Sequence, residues 1–329
     1  MFRRTLRAST FVIAALLLAL SPLSAAAVIL PLPPFVASID HYVVPLDATA
    51  YITEEELACY HRLMDAIFAR EDKVTLLDND DANLNVLFLA INNPYHFLVR
   101  KARVVDDRRT IGLTYTYTEE QQREIVEFID QAYLDMFEEI LELDMTDLEK
   151  VLAVHDYFAS HIEYDYDYID AMDLEDERFH YPEIEIYDAL QTGRGVCHSY
   201  TYLCEFALQQ LDIDCLRLTA EIEGTDEGHM WLAVRLDGEW YHVDPTWDRD
   251  DDGGVSLRYF GMTDEERVAG GIADTWNVGV DMAFGEIECT SDRFACLRDV
   301  RDSRLLGGHR MEVWRIGRRE PEIIDLRQL

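Results

Sequence analysis

The stretch of sequence that decides the fold is Gly193-Arg194-Gly195-Val196-Cys197-His198-Ser199-Tyr200, which opens a segment that ends at Asp248. Apolar residues at helical spacing follow the cysteine, which predicts a helix over residues 197–211 with the cysteine in its first turn. Strands are predicted next, at residues 215–222, 230–236 and 239–243. Asp237-Gly238 is the composition of a two-residue hairpin turn between the last two strands. The segment therefore predicts a helix followed by three strands, the last two of which form a hairpin.

The hairpin also determines which side chains share a face. A two-residue turn pairs Leu236 with Glu239, so Asp244 becomes the diagonal neighbour of His229. Diagonal neighbours lie about 7–8 Å apart, within reach of an Asp–imidazole hydrogen bond. The opposite face is apolar and suited to a core: Met230, Leu232, Val234, Tyr241 and Val243. The pattern predicts that one face of the hairpin is buried and that His229 and Asp244 meet on the other.

Cys, His and Asp in this order are the parts of a thiol nucleophile, its base and the group that orients the base. Backbone N–H groups at a helix N-terminus favour a thiolate, and the two glycines permit a tight turn before it. We therefore expect Cys197 to be the nucleophile, His229 the acid/base and Asp244 the orienting group. The amide of Cys197 or of its neighbours is a candidate oxyanion donor. The alternative is a structural cysteine, a core histidine and a strand-end aspartate.

Composition and the N-terminus constrain the class of protein. The 329 residues include 29 Lys and Arg against 65 Asp and Glu, for a formal net charge of −36. Such a chain argues against nucleic acid as a partner, because binding phosphates needs clustered basic residues. A basic start (Arg3, Arg4 and Arg7), an apolar run over residues 11–20 and the sequence Ala25-Ala26-Ala27 predict a secretory signal peptide over residues 1–27. We expect a secreted or extracytoplasmic protein with no stable membrane span after cleavage; an uncleaved anchor is the alternative.

The remaining chain divides into a mostly helical N-terminal region at residues 28–117, a core at 118–268 and a C-terminal extension at 269–329. The first region has a predicted helix beginning after Thr53, a second over residues 84–91, and strands over 97–105 and 110–117. The core begins with a long helix over residues 119–143. Thr146-Asp147-Leu148-Glu149 is a capping box for the next helix. Tyr164 to Tyr168 is predicted as an aromatic loop that could line a groove, and Thr263 as the cap of a short acidic helix.

The six cysteines and the acidic runs offer only weak metal or disulfide signals. Cys289 and Cys296 are close in sequence and are the best disulfide candidates, whereas Cys204 and Cys215 are typical of small buried hydrophobes. No C-x-x-C pair supports zinc. The run from Asp248 to Gly253 resembles half of an EF-hand loop but lacks its final glutamate, which favours a solvated acidic turn. We expect no metal and no cofactor.

At these residues the sequence resembles the transglutaminase-like superfamily, which shares its thiol chemistry and architecture with papain-like proteases. The matching pieces are Gly195-Val196-Cys197 with Tyr200, His229-Met230-Trp231, Trp240 to Asp248, His155-Asp156-Tyr157, Tyr164-Asp165 and Tyr259 to Glu266. The resemblance implies an α+β fold with a transglutaminase/papain-like core, in which the nucleophile helix packs on an antiparallel sheet. The sequence differs from bacterial members of the family at His198 and Ser199, where Gln and Gly are usual, and at Leu232, where Asn is usual.

The resemblance implies a thiol enzyme that acts on protein or peptide amides through a thioester, by acyl transfer, deamidation or hydrolysis. Residues that flank the triad in the sequence are expected to contact the substrate: His198, Tyr200, Trp231 and Trp247. Two alternatives stay open. One is a thiol peptidase of cell-wall or extracellular peptides, and the other is an inactive transglutaminase-like domain that serves as a binding module or scaffold.

Overall fold

The structure is a computed structural model that describes residues 35–44, 52–105, 109–173, 186–225, 227–250, 254–273, 276–278 and 287–329. The predicted signal peptide at residues 1–27 lies outside the described residues. In the part of the chain that the structure describes, no helix combines the length and apolar character that crossing a membrane requires.

The N-terminal region contains two helices and a small sheet, as predicted. Helix α1 (Glu54–Phe68) begins at the capping box of Thr53 and Glu56, and helix α2 (Asp80–Asn92) is capped by Asn79. The bounds of the strands are β1 (Lys73–Thr75), β2 (Val99–Val105) and β3 (Thr110–Tyr115). They form an antiparallel sheet in the order β1-β3-β2.

Two longer helices lead to the central segment. Helix α3 (Glu119–Ile140) is the predicted long helix, and α4 (Asp147–His161) begins at the predicted Thr146 capping box. The predicted aromatic loop is wrong, because the chain forms strand β4 (Glu163–Tyr164) and then helix α5 (Tyr166–Asp173). The Asp165 carboxylate accepts the backbone N–H of Tyr168, which caps the start of α5 and explains why a helix begins there.

The central segment forms the predicted helix and sheet. The elements are helix α6 (Ile186–Thr192), strand β5 (Arg194–Gly195), helix α7 (Cys197–Gln210), and strands β6 (Cys215–Glu221), β7 (Gly228–Leu236) and β8 (Glu239–Val243). Leu236 pairs with Glu239 and Leu232 with Val243, which confirms the predicted hairpin register. Helix α7 contacts β6 and β7, so the helix-on-antiparallel-sheet arrangement and the α+β class are confirmed.

The expectation that only one face of the hairpin is buried is wrong. Leu232, Val234 and Tyr241 join the main core on one face, as predicted. The other face is also covered, because Trp231 and Ala233 pack with residues of β6 and of the later chain, with Trp240, Trp247 and Trp276 around them. His229 and Asp244 therefore meet inside the protein and are 5% and 0% exposed.

The chain after Asp244 completes the sheet and adds a further one. Its elements are helix α8 (Pro245–Asp248), strand β9 (Phe260–Met262), helix α9 (Asp264–Ala269), strand β10 (Asn277–Val278), and strands β11 (Val300–Gly307), β12 (Arg310–Arg315) and β13 (Glu322–Asp325). The central sheet has the order β10-β6-β7-β8-β9, and the last three strands form a separate antiparallel sheet. Thr263 caps α9 as predicted. The predicted boundaries at residues 117 and 268 stay a prediction.

The disulfide prediction is wrong, because all six cysteines are free. Cys289 is buried and forms a hydrogen bond with Asp264, whereas Cys296 is exposed to solvent. Cys204 and Cys215 are buried, as predicted.

Candidate active site

Cys197 is the first residue of α7 and remains partly exposed. The turn before it depends on two glycines. Gly193 has a φ of +66°, and a Cβ on Gly195 would lie 2.5 Å from the Cβ of Ser199. Ser199 is buried and its Oγ accepts the backbone N–H of Val196, which fixes the entry into the helix. The local sequence thus places the thiol at a helix N-terminus, where the dipole favours negative charge.

His229 joins the thiol to Asp244. The Nε2 atom of His229 lies 2.7 Å from Oδ2 of Asp244. Cys197 is close enough to the same ring to affect its pKa, and Nδ1 is the ring nitrogen that does not contact Asp244. Burial lowers the pKa of His229, but Asp244 and the Cys197 thiol outweigh burial and raise the pKa to about 9. The ring therefore favours the imidazolium form beside the thiol.

Asp244 is held by bonds to both carboxylate oxygens. Its Oδ1 caps α8 by accepting the backbone N–H groups of Thr246 and Trp247, each at 3.1 Å. Its Oδ2 accepts Nη2–H of Arg267 at 2.7 Å and is also the atom that contacts Nε2 of His229. Burial alone would raise the pKa of Asp244, but His229 and Arg267 hold it well below its usual range. The carboxylate is therefore charged and fixed in place.

Aromatic rings surround this contact. The Trp247 ring stacks on the His229 ring with centroids 4.4 Å apart, and the Trp231 ring lies parallel to it at 5.9 Å. Trp247 remains partly exposed. Trp231 is 0% exposed, so the expectation that it contacts substrate is corrected: it supports the histidine from within the core.

The same correction applies to Tyr200. Its side chain is 0% exposed, and its hydroxyl donates to the backbone oxygen of Ile162. It therefore ties α7 to the end of α4 and does not face a substrate. His198 is partly exposed and packs its ring against Tyr202 at 4.3 Å.

Two recesses adjoin the candidate triad. One has a volume of about 530 Å³ and is lined by residues that include Cys197, His198, His229 and Trp276. The other has a volume of about 550 Å³, and its lining includes Tyr164 and Trp247. Burial raises the pKa of Tyr164 to about 12, with Cys197 among the nearby groups that contribute. Tyr164 is therefore a neutral hydroxyl close to the thiol.

A buried polar network anchors the loop after Asp244. Asp248 is fully buried, and its Oδ1 accepts Ser256 Oγ–H and the N–H of Tyr259. Its Oδ2 lies 3.2 Å from Nε2 of His155. Burial lowers the pKa of His155, but its bonds to Asp156 and Asp248 raise the pKa to about 9. The expectation of a solvated acidic turn is therefore wrong at Asp248, and residues 251–253 lie outside the described residues.

Among the described residues, His242, Asp264 and Cys289 form the group whose donor atoms lie within 4.8 Å of one another, as a metal site requires. Trp231 Nε1–H donates to Nδ1 of His242 at 2.9 Å, so Nε2 carries the proton that it donates to Asp264. A metal on Nε2 would have to displace that proton and leave an imidazolate. Burial also raises the pKa of the Cys289 thiol, which opposes the thiolate that a metal needs. This donor set does not favour a metal.

Comparison with known proteins is consistent with the geometry. Residues 135–245 match the model of the transglutaminase-like superfamily. This part of the chain is similar to transglutaminase-like domains. The matched residues include Cys197, His229 and Asp244, together with α7 and the hairpin.

The chain is also similar to curated proteins. It is 29% identical over 123 residues to the kyphoscoliosis peptidase of Homo sapiens and 28% identical over 123 residues to that of Mus musculus. Each match covers 34% of this chain, and the chain spans 18% of the length of each relative.

Two solved structures match over about half of the chain. One is a TGase, with a TM-score of 0.32, 15% identity, and coverage of 44% of this chain and 43% of that one. The other is a candidate cysteine protease from Cytophaga hutchinsonii, with a TM-score of 0.29, 15% identity, and coverage of 50% and 58%.

Sequence reasoning missed one residue that contacts the predicted triad, Arg267. It lies in an acidic helix, between Glu266 and Val268, and no spacing pattern links it to Asp244. Its burial inside an aromatic cluster is a tertiary property. The available signal was that it is a lone base at the end of a helix rich in acids.

Proposed function

We propose that the chain is an exported thiol enzyme that acts on protein or peptide amides through Cys197, His229 and Asp244. The observations that carry the proposal are the 2.7 Å contact between His229 and Asp244 and the position of Cys197, which begins α7 close enough to the same ring to raise its pKa. The partly exposed thiol and the recess it lines give an amide carbonyl access to the nucleophile.

The first half-reaction follows from these groups. The Cys197 thiolate attacks the carbonyl carbon, and a new C–S bond forms. The first N–H groups of a helix have no acceptor within it, so those at the start of α7 are the candidate donors to the developing oxyanion. The C–N bond then breaks, the imidazolium of His229 donates its proton to the leaving nitrogen, and a thioester on Cys197 remains.

The second half-reaction restores the enzyme. A primary amine or a water molecule loses a proton to His229 and attacks the thioester carbonyl. The C–S bond breaks and returns the electron pair to Cys197 as thiolate beside the imidazolium. An amine gives acyl transfer, and water gives deamidation or peptide hydrolysis. Asp244 orients the His229 ring in both half-reactions and stays charged throughout.

The position of the chain outside the cytoplasm is part of the proposal. It rests on the basic start, the apolar run and the small residues before position 28. Fractionation of cells that produce the full chain, with N-terminal sequencing of the mature protein, tests it. Cleavage after residue 27 is the expected result, and an intact N-terminus in the cytoplasmic fraction contradicts export.

The activity assay distinguishes the possible reactions of the thioester intermediate. The full chain is incubated with a glutamine-containing protein and a labelled primary amine, while label incorporation, ammonia release and new peptide termini are measured. Incorporation indicates transfer, ammonia without incorporation indicates deamidation, and new termini indicate peptidase activity. Cys197→Ala should abolish the product, and Cys296→Ala, which removes an exposed thiol elsewhere, should not.

Peptide hydrolysis is the second candidate, because the curated relatives are named peptidases. It uses the same thiol and the same thioester and differs only in the scissile bond. New peptide termini without ammonia release would favour it. No product above the level of Cys197→Ala with any of the three readouts would reject both candidates and favour an inactive binding domain.

A further inference from the structure

Arg267 is a completely buried cation that touches the Asp of the candidate triad. It is 0% exposed, and its Nη2 lies 2.7 Å from Oδ2 of Asp244, the same oxygen that contacts Nε2 of His229 at 2.7 Å. A buried charge is costly unless it is paired, so this contact explains how the arginine is tolerated. The same contact links the arginine to the histidine through a single carboxylate oxygen.

Aromatic rings complete the environment of the guanidinium. Its Cζ lies 4.5 Å from the Trp231 ring centroid and 4.3 Å from that of Trp247. Within the described part of the chain, Nε and Nη1 have no hydrogen-bond acceptor, which fits a guanidinium held between ring faces by cation–π attraction. Trp247 also stacks on His229. Arg267 is therefore packed into the assembly that positions the histidine.

The arginine also changes the charge balance of the site. When Cys197 is a thiolate and His229 an imidazolium, the two charges of the pair cancel, and Arg267 cancels the charge of Asp244. Without the arginine, one uncompensated negative charge would remain next to the histidine and the thiol. Proton loss from the pair would then be harder at both of its steps, because each step makes the site more negative.

We propose that Arg267 is a positioning residue that holds Asp244 against His229 and sets the pH range in which the Cys197–His229 pair is reactive. The role in turnover rests on the proposed function, but the effect on the thiol does not depend on any substrate. It goes beyond packing because it requires the positive charge and not only the side-chain volume.

Other charged or titratable groups near Arg267 have hydrogen-bond partners of their own or stay neutral. Asp248 of α8 and Tyr259 of the loop after it are near enough to affect the electrostatics of Arg267. His242 of the sheet contacts Trp231 and Asp264 of α9. Asp248 is occupied by His155, Ser256 and the Tyr259 amide, and His242 is held neutral by the Trp231 bond. On the thiol side, Tyr164 stays a neutral hydroxyl.

The test measures the alkylation of Cys197 by iodoacetamide as a function of pH, followed by mass spectrometry of the peptide that carries this cysteine. The variants are Arg267→Met, which removes charge at similar length, Arg267→Gln, which keeps a hydrogen-bond donor without charge, and Arg267→Lys, which keeps the charge. The matched control is Arg217→Met. Arg217 is also buried, pairs with Glu205 at 2.9 Å and lies 4.4 Å from the Tyr202 ring, and these partners are not members of the triad.

Arg267 and His229 contact the same oxygen of Asp244, so their charges lie about 5–6 Å apart. At an effective dielectric constant of about 20, removal of the Arg267 charge is expected to shift the titration of the Cys197–His229 pair by about 1–2 pH units. Both inflections of the alkylation rate should move to higher pH by this amount in Arg267→Met and Arg267→Gln. Arg267→Lys should stay close to the wild type, and Arg217→Met should show no shift even if it is less stable.

The proposal is overturned if Arg267→Gln and Arg267→Lys behave alike, or if Arg217→Met moves the inflections as much as the Arg267 variants do. If Arg267→Met fails to fold, the Gln and Lys pair still decides the outcome. A wild-type thiol that shows no inflection coupled to His229 overturns the proposed function instead. A normal wild-type profile that the Arg267 variants leave unchanged overturns only the role of the arginine.

Discussion

Replacing Asp244 with asparagine should remove a pH-dependent part of the stability, because the charge of Asp244 is what keeps His229 protonated. The amide oxygen of the new side chain could still accept the N–H groups of Thr246 and Trp247, so the cap of α8 would survive. The neutral amide could not attract the imidazolium or neutralise Arg267. The substitution therefore tests the electrostatic coupling between Asp244 and His229 more than the local backbone.

The magnitude follows from the shift at His229. The pKa of His229 is raised from its ordinary 6.5 to about 9, and each unit corresponds to about 1.36 kcal/mol, so the contribution is on the order of 3 kcal/mol. Because the pKa of His229 is higher in the folded state than in the unfolded state, protonation of this ring stabilises the fold. The contribution is fully present below pH 6.5 and is lost as the pH rises through about 9. The lowered pKa of Asp244 is the same interaction seen from its partner and is not added.

The assay is urea unfolding of the wild type and Asp244→Asn at a series of pH values from about 6 to 10. The difference in free energy of unfolding should shrink by roughly 3 kcal/mol across this range. A remainder should persist at the alkaline end, because Arg267 stays buried without its counterion. His155 also has a raised pKa of about 9, but both proteins contain it, so its effect cancels in the difference. A difference that stays constant across the whole pH series would refute the coupling.

Further substitutions test the surroundings of the thiol. Gly195→Ala should cost about 1–3 kcal/mol of stability by overpacking, because the new Cβ would lie 2.5 Å from the Cβ of buried Ser199, and it should slow alkylation of Cys197. Gly228→Ala, with its nearest atom at 3.9 Å, is the control, and equal losses in both would contradict the argument. Trp247→Ala should slow alkylation by roughly tenfold through the lost ring contact, with Trp247→Phe retaining most of the rate; identical rates in the two variants would contradict it. Unfolded protein treated with a thiol reagent, without reductant, should show six free thiols, and four would indicate a disulfide.

The hairpin and the nucleophile helix could be predicted because local signals specify them. The Asp237-Gly238 turn sets the register, and the register alone places Asp244 beside His229. Capping residues such as Thr53, Thr146 and Thr263 likewise mark helix starts wherever a hydrogen bond to a nearby backbone N–H defines the boundary. These interactions join residues close in sequence, so a single sequence carries their signal.

The parts that could not be predicted depend on contacts between distant residues. Asp244 and Arg267 lie on different elements, and only the fold shows that they share an oxygen contact. Asp248 reads as an exposed acid in an acidic run, but a histidine from α4 accounts for its burial. Trp231 reads as a substrate contact because it follows His229 in the family pattern, yet the second covered face of the sheet encloses it.

The most direct test of the account compares two cysteines in one reaction. Limiting iodoacetamide is added to the native full chain at about pH 5.5–6, and modification of Cys197 and of exposed Cys296 is quantified from the same digest. We predict that Cys197 reacts faster than Cys296 and that His229→Ala removes the advantage, because the imidazolium stabilises the thiolate. Equal rates in the wild type, or a Cys197 advantage that survives His229→Ala, would contradict the claim that Cys197 and His229 act as a pair.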